Sequence, residues 1–180
     1  MDILAHALWA STGVALARRR IPISRAAAVL TITLAALPDI LHLLPIFGWW
    51  IFSDGTLATL RAYALAVPGQ EPFLPPLVEL LSHHLHCIMH SAVVAGVVTI
   101  VVWAWRRSLC IALLGWWSHI VIDVFTHSAQ YYPVAVLYPF SEQAFDGIAW
   151  NTPWFMWLNY IALCIAGIWL LITRKNPASP

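Results

Sequence analysis

The sequence predicts an all-α fold, a polytopic transmembrane helical bundle of about five spanning helices with loops on its outer face. Three observations carry that expectation. The 180-residue chain is 61% hydrophobic and only 9% charged, with a mean hydropathy of +0.78, far from an average soluble domain. Its apolar residues gather into five segments, roughly 3–17, 26–47, 88–105, 109–126 and 154–172, most of them near the ~20 residues that a spanning helix needs. Eight of its nine basic residues fall in the gaps that a five-span topology puts on one side, and the positive-inside rule makes that side cytoplasmic.

Taken in order, "MDILAHALWA" has an acid and no basic residue before its apolar run. It lacks the charged n-region of a cleavable signal peptide and reads as the start of the first helix, its N-terminus outside. Arg18, Arg19, Arg20 and Arg25 separate the first two segments, Arg106 and Arg107 the third and fourth, and Arg174 and Lys175 follow the fifth. The longer stretches, about 48–87 and 127–153, are outer-face loops able to form a cap. Within the first, "SDGTLATLRAYALAV" offers Ser53 as the N-cap of a short interfacial helix. From Pro76 no breaker occurs before Gly96, so the third helix is expected to begin well outside the membrane and continue into it. The tail 174–180 reads as frayed. With no internal repeat, residues 1–180 form a single integral membrane domain, and tryptophans near segment ends, such as Trp49, Trp103 and Trp154, suit the headgroup level.

A formal charge of +1 gives no basic face for nucleic acid. Cys87, Cys110 and Cys164 are scattered and odd in number, neither a disulfide framework nor a CxxC site. They read as small buried hydrophobes, with Cys87 alone near histidines.

The chemistry lies in acids and histidines at helical spacing. Residues three, four, seven or eleven apart share a helix face. Asp2 and His6 are so placed on the first segment, and Asp39 and His42 on the second. Glu79, His83, His86 and His90 form a stripe leading into the third, and His119, Asp123 and His127 one on the fourth. With the arginines as a common floor, His6, Asp39, His90, His119 and Asp123 all rise about 18–24 Å above it. His42, His86 and His127 come one turn higher, at the mouth. A carboxylate facing hydrocarbon costs several kcal/mol, so Asp39 and Asp123 must face inward and find partners. A divalent cation supplies one. Imidazole with carboxylate suits zinc, with manganese or iron(II) also accommodated, as one ion or a pair. Carboxylates left over would orient a ligating imidazole or act on metal-activated water.

These motifs resemble the YdjM-like family of membrane-bound metal-dependent hydrolases. The likeness runs through His6, "LPDILH" at 37–42, "HS" at 90–91, "GWWSHIVIDVFTH" at 115–127, "YPF" at 138–140 and "FDGIAW" at 145–150. It implies a metal site of His6, Asp39, His42, His90, His119 and Asp123. The chain departs from the family at Leu41, where a second aspartate is common, and at 85–89, "LHCIM", where "HRGxT" is frequent.

Together these readings suggest hydrolysis at the outer face of the inner membrane: metal-activated water attacking an ester or phosphoester of a lipid or lipid-linked substrate. Lipid is favoured because a site roughly 5–10 Å below the interface is reached more easily by a headgroup than by a polymer. His86 or His127 would protonate the leaving group. The alternative is a divalent-metal transport or binding protein without hydrolytic activity. It predicts polar groups continuing toward the cytoplasm, where the lower helix halves offer only Ser11, Thr12, Thr31, Thr33 and Thr99. Di-histidine haem ligation would leave Asp39 and Asp123 idle. Oligomeric state is not encoded in any of these features.

Overall fold

A computed structural model describes residues 1–64, 66 and 72–173. Among them the regular elements are helices: α1 (Ile3–Ala17), α2 (Arg25–Phe52), α3 (Leu57–Ala64), α4 (Pro76–Met89), α5 (Ala92–Arg106), one 3-10 turn (Arg107–Leu109), α6 (Cys110–Thr126) and α7 (Pro153–Ile172). Arg174, Lys175 and the rest of the expected tail lie outside the described residues.

Three segments are long and apolar enough to cross a membrane: Arg25–Phe52, Ala92–Thr126 and Pro153–Ile172. That is fewer than the five expected. The shortfall at α1 is one of length, since its 15 apolar residues make about 22 Å of helix against a hydrocarbon layer about 30 Å thick. Ala92–Thr126 is not one rod. Arg106 leaves helical geometry (φ −145°, ψ 80°), and the two arms fold together around Ala95, Leu113, Trp116 and Ile120. Trp117 Nε1 donates to Thr99 Oγ1 at 3.0 Å and Trp116 Nε1 to the Met89 carbonyl at 2.6 Å. In an unbroken helix Met89 and Trp116 would stand about 40 Å apart.

α2 is the central element, packed by α1, α4 and α6. Ser24 caps it by accepting from the Ala27 amide. It runs on through Pro38, Pro45 and Gly48 to Phe52, so Ser53 closes its C-terminus. The expected cap of α3 therefore shifts to Thr56, whose hydroxyl accepts from the Thr59 amide at 3.1 Å. α6 lies parallel to α2 and almost touches it. A Cβ on Gly115 would sit 1.9 Å from the Thr31 carbonyl oxygen, so only glycine permits this approach. Thr31 Oγ1 donates to its own turn at Ala27 (2.8 Å) and reaches the Ile111 carbonyl at 3.3 Å.

The uninterrupted third helix expected from Pro76 does not occur, because the chain breaks at His90–Ser91 between α4 and α5. Ser91 caps α5 with its hydroxyl oxygen, accepting from the Val93 and Val94 amides, and donates to the Tyr138 carbonyl at 2.6 Å. Ala92 N is held by the Val136 carbonyl at 2.9 Å. The break is thus secured by a distant loop. That loop then returns to the end of α6, where Gly147, Ile148 and Trp150 donate their amides to the carbonyls of His127, Phe125 and Thr126. These are carbonyls that a helix C-terminus leaves unsatisfied. α7 runs beside α1, tied by Trp9 Nε1 to Asn159 Oδ1 at 2.9 Å and by Arg19, which reaches Thr173 Oγ1 and stacks over Trp169. The cysteines are free; Cys87 is buried against His83, whereas Cys164 is exposed on α7 rather than buried as expected.

Candidate metal centre

The fold brings His6 from α1, Asp39 from α2, His90 from the α4–α5 break, and His119 and Asp123 from α6 to one point. His6, His90, His119 and Asp123 are at most 1% exposed and Asp39 6%, so water does not solvate the two carboxylates. One ligand atom from each of His6, Asp39, His119 and Asp123 lies within 4.8 Å of the others, which makes the cluster able to hold a metal ion.

His90 closes a tighter set. Its Nε2 lies 2.9 Å from His119 Nε2, 3.6 Å from Asp39 Oδ1 and 3.3 Å from Asp123 Oδ2. His119 Nε2 is 3.6 Å from Asp39 Oδ1 and 3.1 Å from Asp123 Oδ2. A tetrahedral ion with 2.0–2.1 Å bonds requires ligand-to-ligand edges of about 3.3–3.4 Å. The five edges above scatter around that length.

The tautomers sharpen the point. His119 Nδ1 donates to the Ala35 carbonyl at 2.7 Å, and His90 Nδ1 to the His86 carbonyl at 2.8 Å. Carbonyls only accept, so each Nδ1 carries a proton and each neutral ring presents a lone pair at Nε2. Two lone pairs then face each other at 2.9 Å. Either an extra proton or a cation must sit between them and the carboxylates. A buried acceptor without a partner costs about 1–3 kcal/mol, and Asp39 Oδ2 and Asp123 Oδ2 are both in that state. The donor set could therefore hold a metal ion, with backbone carbonyls orienting the rings as around bound metals generally.

The three residues expected one turn higher surround the cluster. His127 ends α6; its Nδ1 donates to the Tyr132 carbonyl at 2.7 Å, and its Nε2 is 3.4 Å from Asp123 Oδ2 and 3.1 Å from the Met1 amino nitrogen, which also contacts Asp123 Oδ1. His86 stacks on His90 at 4.0 Å between centroids, and both its nitrogens are buried without a partner. Burial, reinforced by the His90, His42 and His127 imidazoles, pushes His86 well below the ordinary imidazole range, so its ring is neutral. His42 is half-buried and edge-on to His86, 5.5 Å away. Other members of the sequence stripes do other work. Asp2 caps α1 and accepts from Tyr160, His84 pairs with the Tyr138 hydroxyl, and Glu79 and His83 are exposed.

Several positioning groups carry no sequence signal of their own: the Ala35 and Tyr132 carbonyls, Gly115 and Gly147. Tyr132 holds a left-handed φ of 48°, uncommon for a bulky residue, while offering its carbonyl to His127. Thr126, inside the fourth-segment motif, donates to Asp123 Oδ1 at 3.1 Å.

Two cavities lie beside the centre, neither lined by His6, Asp39, His90, His119 or Asp123. One of about 710 Å³ opens onto its mouth and is lined by His42, Tyr63, Ser82, His86 and Tyr132, among others. The other, about 690 Å³ and largely apolar, runs between α1, α6 and α7 along Trp9, Val14, Ile122 and Phe125 to Met1 and Thr126. Neither a protein-family model, nor a curated protein, nor a solved structure matches the chain.

Proposed function

We propose that this protein is a membrane-embedded, metal-dependent hydrolase acting on an ester or phosphoester of a lipid or lipid-linked molecule. The observation that carries the reading is the pair of opposed Nε2 lone pairs of His90 and His119, 2.9 Å apart and flanked by Asp39 and Asp123 in a buried pocket. Zinc suits this donor set, with manganese or iron(II) as substitutes. When bound, the ion would polarise a substrate oxygen and acidify water. The chain's own groups do the rest. Ala35 and His86 carbonyls orient the two rings, Thr126 holds Asp123, and a leaving group entering the mouth would meet the unpartnered nitrogens of His86, with His127 beyond it.

The two cavities support a lipid substrate: a partly polar mouth for the headgroup and a largely apolar groove, lined at one end by Met1 and Thr126, for an acyl chain. In this reading α1 and the two arms of Ala92–Thr126 are the additional crossings of a five-span topology, in an inner membrane with the mouth outward. Metal transport is less well supported. Below His119 the α2 and α6 backbones meet at Gly115 and Thr31, and the groove that passes beside them is largely apolar, which offers a cation few ligands on the way.

The test is elemental analysis of protein purified in mild detergent, then a screen of lipid phosphoesters and esters. Bound zinc, manganese or iron is expected in the wild type, and less of it in Asp123→Ala and in His119→Ala. A wild type that holds no metal and takes none up on titration would reduce the cluster to interhelical hydrogen bonding and sink the hydrolase reading.

A further inference from the structure

The two carboxylates do not spend both oxygens on the same partners. Asp39 turns Oδ1 toward His90 and His119, at 3.6 Å from each, and Oδ2 toward His6 Nε2 at 3.9 Å. Asp123 mirrors it. Its Oδ2 faces His90 and His119 at 3.3 and 3.1 Å, while its Oδ1 lies 2.9 Å from His6 Nε2. The cluster thus divides into two donor sets that share both carboxylates but no oxygen atom. One holds His90 and His119; the other holds His6.

We propose that the centre is dinuclear, with Asp39 and Asp123 each bridging two divalent ions and His6 the terminal protein ligand of the second ion. The proposal rests on the hydrolase reading only in requiring that the first ion binds. An ion with bonds of about 2.1 Å sets neighbouring ligands about 3.0 Å apart and opposite ones about 4.2 Å apart. The His6 separations of 2.9 and 3.9 Å lie close to those two values. Bridging through both carboxylate oxygens would set the ions roughly 3.5–4 Å apart, the spacing of two-metal hydrolytic sites. One further observation agrees: Asp39 Oδ2 is buried without a hydrogen-bond partner. With two carboxylates as the only anionic ligands, one ion leaves the centre neutral and a second gives it a net positive charge. Among the described residues neither Lys nor Arg lines the mouth cavity, so the grip on an anionic phosphoester would fall to the ions.

The full-length protein in detergent would be loaded with manganese, and its ion content and electron paramagnetic resonance spectrum measured. The expected wild type holds two ions per chain and shows the broadened, multiline signal of an exchange-coupled pair. His6→Ala, and the milder His6→Gln, should hold one ion and show an isolated manganese spectrum. His119→Ala should lose the ion of the other set. A wild type with a single ion, unchanged in His6→Ala, would overturn the dinuclear centre while leaving the hydrolase reading standing. Two ions without exchange coupling would overturn the carboxylate bridges. The wild-type spectrum needs no variant, so a His6 substitution that fails to fold does not shield the proposal.

Discussion

Gly115→Ala tests whether the contact between α2 and α6 positions the metal ligands. The new methyl would lie 1.9 Å from the Thr31 carbonyl oxygen and 3.1 Å from the Ala35 amide nitrogen. Contacts below about 3.0 Å are essentially never tolerated, so the helices must part by at least about 1.1 Å at that level. His119 lies one turn above on the same face, its Nδ1 2.7 Å from the Ala35 carbonyl. If the separation is transmitted along that bond, it lengthens to about 3.8 Å and ceases to be a hydrogen bond. Loss of such an orienting partner lowers metal affinity by about 10- to 100-fold, and overpacking costs a further ~1–3 kcal/mol of stability. Competition against a graded chelator series measures the first and thermal unfolding in detergent the second. Gly96→Ala is the control, since a Cβ there meets nothing within 4 Å. A Gly115→Ala protein with wild-type metal affinity, whatever its unfolding temperature, would show that the ligands do not depend on this approach.

Thr126→Val removes the hydroxyl that donates to Asp123 Oδ1 and should weaken metal binding about tenfold, the lower end for a supporting partner; chelator competition would reveal it. Gly147→Ala would press a Cβ to 2.5 Å from the Phe125 carbonyl oxygen and 2.7 Å from that of His127. Residues 127–152 should then lift from the end of α6, detectable as faster proteolysis of that loop and weaker metal retention. Ser91→Ala removes both the α5 cap and the donor to Tyr138; about 0.5–2 kcal/mol of stability should be lost from the cap alone, measured by thermal unfolding of the chelator-treated protein.

The membrane character and the cluster were legible for the same reason: an acid in an apolar helix has few places to go. Depth along each helix, counted from the arginines, brought His6, Asp39, His90, His119 and Asp123 to one level, and they meet there. What the sequence could not reveal came from contacts between distant segments. The break at His90–Ser91 has no glycine or proline to announce it. It depends on Val136 and Tyr138 carbonyls nearly fifty residues away, and it turns His90 into the cluster while Glu79 and His83 face outward. Nor does a lone glycine before "WWSH" advertise that a neighbouring backbone passes within contact distance. Ser53 was misplaced because α2 continues past Pro45 and Gly48, residues that weaken a helix but did not end this one.

A last consequence concerns stability without metal. The cluster keeps two carboxylates and three imidazoles away from water, with Asp39 Oδ2 and Asp123 Oδ2 unpartnered. At about 1–3 kcal/mol each, these groups weigh against the native state until a cation satisfies them. A metal bound only by the folded chain, at a thousand times its dissociation constant, adds about 4 kcal/mol. For a chain of this length that raises the unfolding midpoint by roughly 8–16 °C. Asp123→Asn separates this effect from general ion binding. It removes one of the two buried charges and a metal ligand together, so the chelator-treated variant should unfold at or above the chelator-treated wild type, yet gain little on adding zinc. The order of the two proteins should therefore reverse between chelator and zinc. Equal shifts in both proteins would mean that the stabilising ion binds elsewhere, and no shift in either would mean that protons, not metal, reconcile the facing lone pairs of His90 and His119.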